Sequence, residues 1–120
     1  MPYTISKEFA FSAAHWIAGL PDDHPCRRLH GHNYRVELIL YRDTVTPIGF
    51  VRDYADLDDF KQWLDENLDH RNLNEVLGHD QTTAENIAEY LYNKWKSRYP
   101  ELAYVRVSET QKTWAGYGEG

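Results

Sequence analysis

The chain has 120 residues and a formal net charge of −6. Hydrophobic residues make up 42% of it and charged residues 27%, which is typical of a folded domain rather than a disordered chain. The length fits a single domain over residues 1–120. Because no long basic stretch interrupts the acidic balance, we do not expect a general nucleic-acid-binding surface.

The cellular compartment is indicated by what the sequence lacks. Its one cysteine, Cys26, precludes an intrachain disulfide and suits a reducing compartment. Residues 1–11 include Lys7 and Glu8 and contain no apolar run of signal-peptide length. No segment approaches the ~18 consecutive apolar residues of a membrane-spanning helix. We therefore expect a cytoplasmic protein with no membrane partner.

Four segments are predicted to be strands. Near the N-terminus, apolar and polar side chains alternate over residues 3–13 and 32–41, the pattern of half-buried strands. A loop rich in proline and acidic residues joins them. Near the C-terminus, residues 102–110 alternate in the same way, and residues 112–117 are long enough for a short closing strand.

Two helices are predicted between these pairs of strands. Over residues 56–68, apolar side chains recur at spacings of three and four, and acidic residues in the first turn suit the helix dipole. After a polar connection over residues 69–80, Thr82 to Glu85 has the form of a capping box with Thr82 as the N-cap. The predicted order is ββααββ, an α+β fold.

The segment most informative for chemistry runs from Cys26 to His32. His30 and His32 are two residues apart at the start of a strand, so both imidazoles point to the same face. His15 follows the first strand, and an antiparallel hairpin of the first two strands brings it close to that pair. Three imidazoles with one open position are the arrangement of a catalytic zinc site.

Two other interpretations of these residues stay open. The histidines of a His-x-His pair are also compatible with ordinary surface positions. Alternatively, Cys26 is a fourth ligand, which would close a structural site of one thiolate and three imidazoles. Spacing alone does not exclude that arrangement.

Three further features carry charged or titratable groups. Asp69 and His70 are adjacent just past a predicted helix; the carboxylate either orients the imidazole for proton transfer or simply belongs to the helix end. Glu109 falls on the apolar parity of its strand, and an inward carboxylate needs partners, either protein groups or the adjacent N–H groups of a guanidine-like ring edge. Arg27 and Arg28 are either solvated surface or a local anion site.

In combination these residues resemble the 6-pyruvoyl-tetrahydropterin synthase and 6-carboxy-tetrahydropterin synthase family over nearly the whole chain. The matching segments are Phe11-Ser12-Ala13-Ala14-His15, Cys26 with His30-Gly31-His32-Asn33-Tyr34, Gly49-Phe50-Val51-Arg52-Asp53, Leu68-Asp69-His70, Leu73-Asn74, Thr82-Thr83-Ala84-Glu85-Asn86 and Ser108-Glu109-Thr110. Each segment alone is a weak signal. Their common order on the predicted strands and helices is a strong one.

The resemblance implies a tunnelling fold (T-fold), in which each subunit supplies a four-stranded antiparallel sheet with two helices on one face. Three subunits would close a barrel, and two trimers would stack into a homohexamer with active sites between subunits. Such an assembly would also pair the two edges that a four-stranded sheet leaves open.

The resemblance also implies a role for each site residue. Three histidines would bind Zn²⁺, three residues would transfer protons and three would hold the pterin ring. These are His15, His30 and His32 for zinc; Cys26, Asp69 and His70 for catalysis, with Cys26 as the proton-abstracting base; and Glu109, Thr83 and Thr110 for the pterin. Arg27 and Arg28 are candidates for binding the triphosphate, a hypothesis that rests on charge and proximity.

The implied activity is that of a zinc-dependent lyase. It would convert 7,8-dihydroneopterin triphosphate to 6-carboxy-5,6,7,8-tetrahydropterin, with release of acetaldehyde and triphosphate, in queuosine or other 7-deazapurine biosynthesis. Three residues separate Cys26 from His30, as in the carboxy-forming members, whereas pyruvoyl-forming members typically have a longer gap. Two alternatives stay open: triphosphate elimination to a 6-pyruvoyl product, and a non-catalytic zinc-stabilised oligomer that binds a pterin.

Overall fold

A computed structural model describes residues 2–119. Its four strands form one antiparallel sheet in the order β1-β2-β3-β4, and its three α-helices all lie between β2 and β3 along the chain. The elements are β1 (Tyr3–His15), β2 (His30–Arg42), α1 (Asp58–Asn67), α2 (Leu73–Leu77), α3 (Ala84–Trp95), β3 (Leu102–Ser108) and β4 (Ala115–Gly118). The predicted α+β fold with a four-stranded antiparallel sheet is confirmed.

The core lies between the helices and one face of the sheet. Alternate residues of each strand point to this face, so the buried positions of β2 are all even-numbered. Fully buried side chains of α1 and α3 pack against them, each contributing about 1.5–3 kcal/mol by leaving water. The fully buried residues include Tyr34, Val36, Leu38 and Leu40 of β2, Val105 and Val107 of β3, Phe60 and Leu64 of α1, and Ile87 and Leu91 of α3.

The helices differ from the prediction in two details. The polar connection contains the short helix α2, which begins after an Asn72 N-cap and ends at Gly78, whose φ of 78° is the left-handed conformation that glycine adopts readily. The N-cap of α3 is Thr83, whose hydroxyl accepts a hydrogen bond from the Asn86 N–H at 3.2 Å. The assignment of Thr82 as N-cap was therefore wrong; its side chain is fully buried and has other partners.

The outer edge of β1 is partly covered by the connection that follows α1. The Ser12 N–H donates to the Asp69 carboxylate at 2.8 Å, and the Ser12 carbonyl accepts from the His70 N–H. The Ala14 N–H donates to the Arg71 carbonyl at 3.0 Å. This connection is therefore held against the end of β1. Within residues 2–119, no helix is both long enough and apolar enough to cross a bilayer.

Candidate active site

The β1–β2 ladder brings three histidines together at one end of the sheet. His15 and His30 are Cα partners, and Ala13 and His32 are partners two residues further along the ladder. Strand alternation puts all three imidazoles on the helix-facing side. One ring nitrogen from each histidine lies within 4.8 Å of the other two. The hairpin thus forms the group that the spacing of these residues predicted.

The protonation of this cluster fits a metal ion. The Nε2 atoms of all three histidines are buried and have no hydrogen-bond partner within the described chain. Nδ1 of His15 lies 2.7 Å from the Thr82 carbonyl, and Nδ1 of His30 lies 2.7 Å from the Arg28 carbonyl. Because a carbonyl only accepts, the proton of these two rings is on Nδ1 and their Nε2 lone pairs are free. Converging imidazole lone pairs of this kind suit zinc.

Cys26 is not part of this group. It lies in a single 3-10 turn, Pro25–Arg27, as a partly buried free thiol. Its N–H donates to Nδ1 of His24, and its carbonyl accepts from the Ile17 N–H at 2.9 Å. Among residues 2–119, only the three histidines form a group with metal-ligand geometry. The closed site with a cysteine ligand therefore has no support in this arrangement.

Glu109 lies against the histidines. Its carboxylate oxygens are 4.0 Å from Nε2 of His15 and 3.7 Å from Nε2 of His32. Burial raises the pKa of Glu109 above its ordinary value; the nearby His30 opposes this shift, and the charge of Glu85 adds to it. An inward carboxylate was expected here from strand parity, and the structure orients it towards the cluster.

A cavity of about 310 Å³ opens beside Glu109, with Thr83, Thr113 and Trp114 in its wall. Thr83 therefore faces the space next to the carboxylate, although its hydroxyl also caps α3. Thr110 does not line this cavity; it is exposed, and its hydroxyl shares a hydrogen bond with that of Thr113 at 2.9 Å. A carboxylate in a partly apolar, aromatic-walled cavity suits a flat ring with N–H donors.

Asp69 and His70 form a hydrogen-bonded pair, with Oδ2 of Asp69 2.8 Å from Nδ1 of His70. The Ser12 N–H and the His70 ring lower the pKa of Asp69 below its ordinary value of 3.8. His70 has a φ of 60°, which is uncommon for a residue other than glycine. Its imidazole lines a cavity of about 500 Å³ that His32 and Arg71 also line.

The two arginines that are candidates for binding the triphosphate differ in whether they form an ion pair. Nη1 of Arg27 lies 2.7 Å from the Asp22 carboxylate and donates to the Leu20 carbonyl at 2.9 Å. Arg28 is exposed and forms no ion pair within the described residues. Neither lines the two cavities described above, whereas Arg71 lines the larger one.

Tyr34 lies beside the histidine group, and the sequence analysis did not assign it to the site. The alternating pattern placed it in the core, and its side chain is fully buried. Its hydroxyl, however, has no hydrogen-bond partner in residues 2–119, and its ring lies 5.4 Å from that of His32 and 5.9 Å from that of His15. Burial raises the pKa of Tyr34, and the charge of Glu109 raises it further. Two signals were available in the sequence: Tyr34 lies on the same strand face as the histidines, and it ends the matching segment that begins at His30.

The fold and this site define a small α+β domain with a three-histidine group able to hold a metal ion beside a carboxylate-bearing cavity. Residues 4–120 match the 6-pyruvoyl tetrahydropterin synthase family, and the chain belongs to that family. This confirms the resemblance drawn from the sequence, and the T-fold with it.

Relatives with two different enzyme names cover nearly the whole chain. The 6-carboxy-5,6,7,8-tetrahydropterin synthase of Synechocystis sp. is 36% identical over 121 residues, which cover 96% of this chain and 92% of the relative. The enzyme of the same name from Haemophilus influenzae is 26% identical over 142 residues, with 98% and 99% covered. The structure of Caenorhabditis elegans 6-pyruvoyl tetrahydropterin synthase is 32% identical, with a TM-score of 0.83 and 98% and 96% covered.

Proposed function

We propose that this single-domain protein is a 6-carboxy-5,6,7,8-tetrahydropterin synthase. The substrate is 7,8-dihydroneopterin triphosphate, and the products are 6-carboxy-5,6,7,8-tetrahydropterin, acetaldehyde and triphosphate. The observation that carries the proposal is the convergence of three unpartnered Nε2 atoms beside the Glu109 carboxylate. The Synechocystis relative, similar along nearly the whole chain, supports the choice of product.

The metal in this proposal is Zn²⁺ on His15, His30 and His32. When bound, zinc supplies Lewis-acid polarisation of a substrate oxygen, which lowers the cost of removing a neighbouring proton. Arg27 and Arg28 follow Cys26 directly in the chain and supply positive charge beside its thiol.

The remaining residues move protons or hold the substrate. Cys26 abstracts a proton as the thiolate. Asp69 orients the imidazole of His70, which exchanges protons from the exposed side of the site. The Glu109 carboxylate accepts two N–H groups from the guanidine-like edge of the pterin, with the Thr83 hydroxyl as a supporting contact; Thr110 lies outside that cavity.

The assembly in this proposal is a homohexamer made of two trimers, in the cytoplasm and in a pathway to queuosine or another 7-deazapurine. Two features support association. β1 and β4 are the edge strands of the sheet, and edge strands are paired or protected in stable proteins. Large apolar side chains of one loop are exposed, including Ile48 at 78% and Phe50 at 45%. Light scattering of the purified protein measures the oligomeric state.

The 36%-identical Synechocystis relative and the 32%-identical Caenorhabditis structure carry different product names, so product identity is the first test. The zinc-loaded protein is incubated with 7,8-dihydroneopterin triphosphate, and the products are identified by mass spectrometry. We expect acetaldehyde and 6-carboxy-5,6,7,8-tetrahydropterin. A 6-pyruvoyl product would retain the fold and the site but would contradict the argument from the short spacing between Cys26 and His30.

A second experiment separates an enzyme from a non-catalytic pterin-binding oligomer. Cys26 lies outside the histidine group, so Cys26→Ala is expected to retain zinc and to lose turnover. Loss of zinc from this variant would indicate a cysteine ligand and a closed structural site. Turnover equal to that of the unmodified protein would remove Cys26 from the mechanism.

A further inference from the structure

We propose that Thr82 and Asn74 are positioning residues for His15, and that together they hold its ring with the Nε2 lone pair towards the metal. This inference rests on the proposed role of His15 as a metal ligand. It gives a purpose to two buried polar side chains that no part of the proposed chemistry uses. Thr82 is fully buried, and Asn74 is 8% exposed.

The first contact is between His15 and Thr82. His15 is fully buried, and its Nδ1 atom lies 2.7 Å from the carbonyl oxygen of Thr82 and 3.2 Å from its hydroxyl oxygen. Both oxygens can accept from the same N–H. The ring is therefore held by two oxygens of one residue, which restrict its rotation as well as its tautomer.

The direction of the Thr82 hydroxyl follows from its other neighbours. Its oxygen lies 3.1 Å from Oδ1 of Asn74 and 3.3 Å from the carbonyl oxygen of Trp16. Both of these atoms are acceptors only, so the hydroxyl hydrogen points away from His15. Its lone pairs then face the His15 N–H, and the proton is directed to Nδ1 rather than Nε2.

Asn74 has a definite amide orientation. Its Oδ1 accepts from the Trp16 N–H at 3.0 Å, and its Nδ2 donates to the Trp16 carbonyl at 2.9 Å. A rotated amide would place donor against donor and acceptor against acceptor, so Oδ1 must be the atom that faces Thr82. Asn74 lies in α2, near its Asn72 N-cap, so this short helix carries the residue that anchors the network.

The network acts on one ligand of the three. His30 donates instead to the carbonyl of Arg28, an exposed loop residue two positions before it in the chain. Loss of an outer partner of a metal ligand typically weakens metal binding by about 10- to 100-fold. Because the Thr82 carbonyl remains when its side chain changes, we expect Thr82→Val to reach the lower part of that range.

The test measures zinc affinity by competition with a fluorescent chelator and measures the melting temperature of the zinc-free protein alongside it. Thr82→Val is expected to weaken zinc binding about 10-fold. Thr82→Ser, which retains the hydroxyl, is expected to bind within about threefold of the unmodified protein. Thr44→Val serves as an exposed control, and Leu91→Ala, in the middle of α3, serves as a destabilised control that should retain its zinc affinity.

Each outcome decides one question. If the unmodified protein does not bind zinc, the proposed function itself is contradicted. If it binds zinc and Thr82→Val binds equally well, only the positioning role is contradicted. Equal weakening in Thr82→Val and Leu91→Ala would assign the effect to stability and would also overturn the inference. Independently of any variant, ¹⁵N NMR of the zinc-free protein should find the His15 proton on Nδ1; a proton on Nε2 would contradict the network.

Discussion

His15 and His30 are Cα partners across the β1–β2 ladder, so the pairing of two strands sets the separation of two candidate metal ligands. The ladder is continuous from Tyr3 to His15, which defines its register over the full length of β1. A slip of one residue would turn the histidine side chains of one strand to the opposite face. The arrangement of the metal site is therefore specified by the same hydrophobic pattern that specifies the core.

Zinc is expected to bind one site per chain and to stabilise the fold. At a free zinc concentration 100 times the dissociation constant, binding to the folded state alone adds about 2.7 kcal/mol to the free energy of unfolding. His32→Ala should abolish this stabilisation, because two imidazoles do not complete the site. The measurement is the melting temperature with and without zinc.

The matched control for that experiment is His24→Asn. His24 lies outside the cluster, and its side chain accepts from the Cys26 N–H, a bond that asparagine can also make. The zinc-dependent stabilisation of this variant should equal that of the unmodified protein. An equal loss in both variants would contradict the assignment of the site.

Glu109→Gln is expected to weaken pterin binding while the protein remains folded. The amide has one acceptor atom in place of two and carries no charge, and hydrogen bonds to a charged group contribute about 1.5–3 kcal/mol each. The predicted loss is about 10- to 150-fold in the affinity for a pterin, measured by fluorescence titration. Glu85→Gln, at an exposed residue of the same cavity, is the control and should have little effect.

Asp69→Asn is expected to reduce turnover about 100-fold or more, because the amide no longer holds a proton on Nδ1 of His70 through a charged acceptor.

The effect of Asp69→Asn on stability has a definite sign. The folded-state pKa of Asp69 lies below 3.8, so its carboxylate stabilises the fold above that pH and the contribution is lost as the pH falls through the lowered pKa. Melting temperatures of the two proteins should converge in acid; a difference independent of pH would contradict this.

Tyr34→Phe is expected to separate stability from activity. A buried hydroxyl without a partner costs about 1–3 kcal/mol, so its removal should leave the zinc-free protein at least as stable, by up to about 1 kcal/mol. We propose that the Tyr34 hydroxyl donates to the pterin when substrate is bound, so turnover of the variant should fall about tenfold. A decrease of about 1 kcal/mol or more in the free energy of unfolding would indicate that the hydroxyl already has a partner in the folded chain.

Arg28→Ala is expected to raise KM for the triphosphate substrate more than Arg27→Ala does. Arg27 is already paired with the Asp22 carboxylate at 2.7 Å, whereas Arg28 is exposed and has no ion pair in the described chain. Steady-state kinetics of the two single variants and the double variant measure this. Substrate affinity unchanged in the double variant would contradict the triphosphate hypothesis for both residues.

The sequence predicted the strands well because their signal is local. Alternation over residues 3–13 and 32–41 predicted one buried face, and His15 and His30 extend that face to the adjacent ends of β1 and β2. The inward direction of Glu109 followed from the same parity argument. Local periodicity therefore predicted both the strands of the sheet and the direction of the side chains at the ends of those strands.

The contacts that the sequence did not predict are between residues distant in the chain. The capping-box pattern of Thr82 to Glu85 predicted Thr82 as the N-cap, and only the buried contacts of Thr82 to His15 and Asn74 show that the adjacent Thr83 has that position instead. The helix α2 is five residues long, too short for a periodic pattern, although Asn72 and Gly78 mark its two ends. Nothing local distinguishes a buried Tyr34 with an unpartnered hydroxyl from an ordinary core tyrosine.

The connection held against the end of β1 also limits how a neighbouring chain can extend the sheet. Backbone groups of even-numbered residues face the outer edge of β1, and those at Ser12 and Ala14 are already bonded to the connection within the same chain. An added strand therefore has only the stretch before Ser12 available, from Thr4 to Ala10. Asp69 and His70 occupy the backbone groups of Ser12, so they also limit how far a strand from another subunit can pair along this edge.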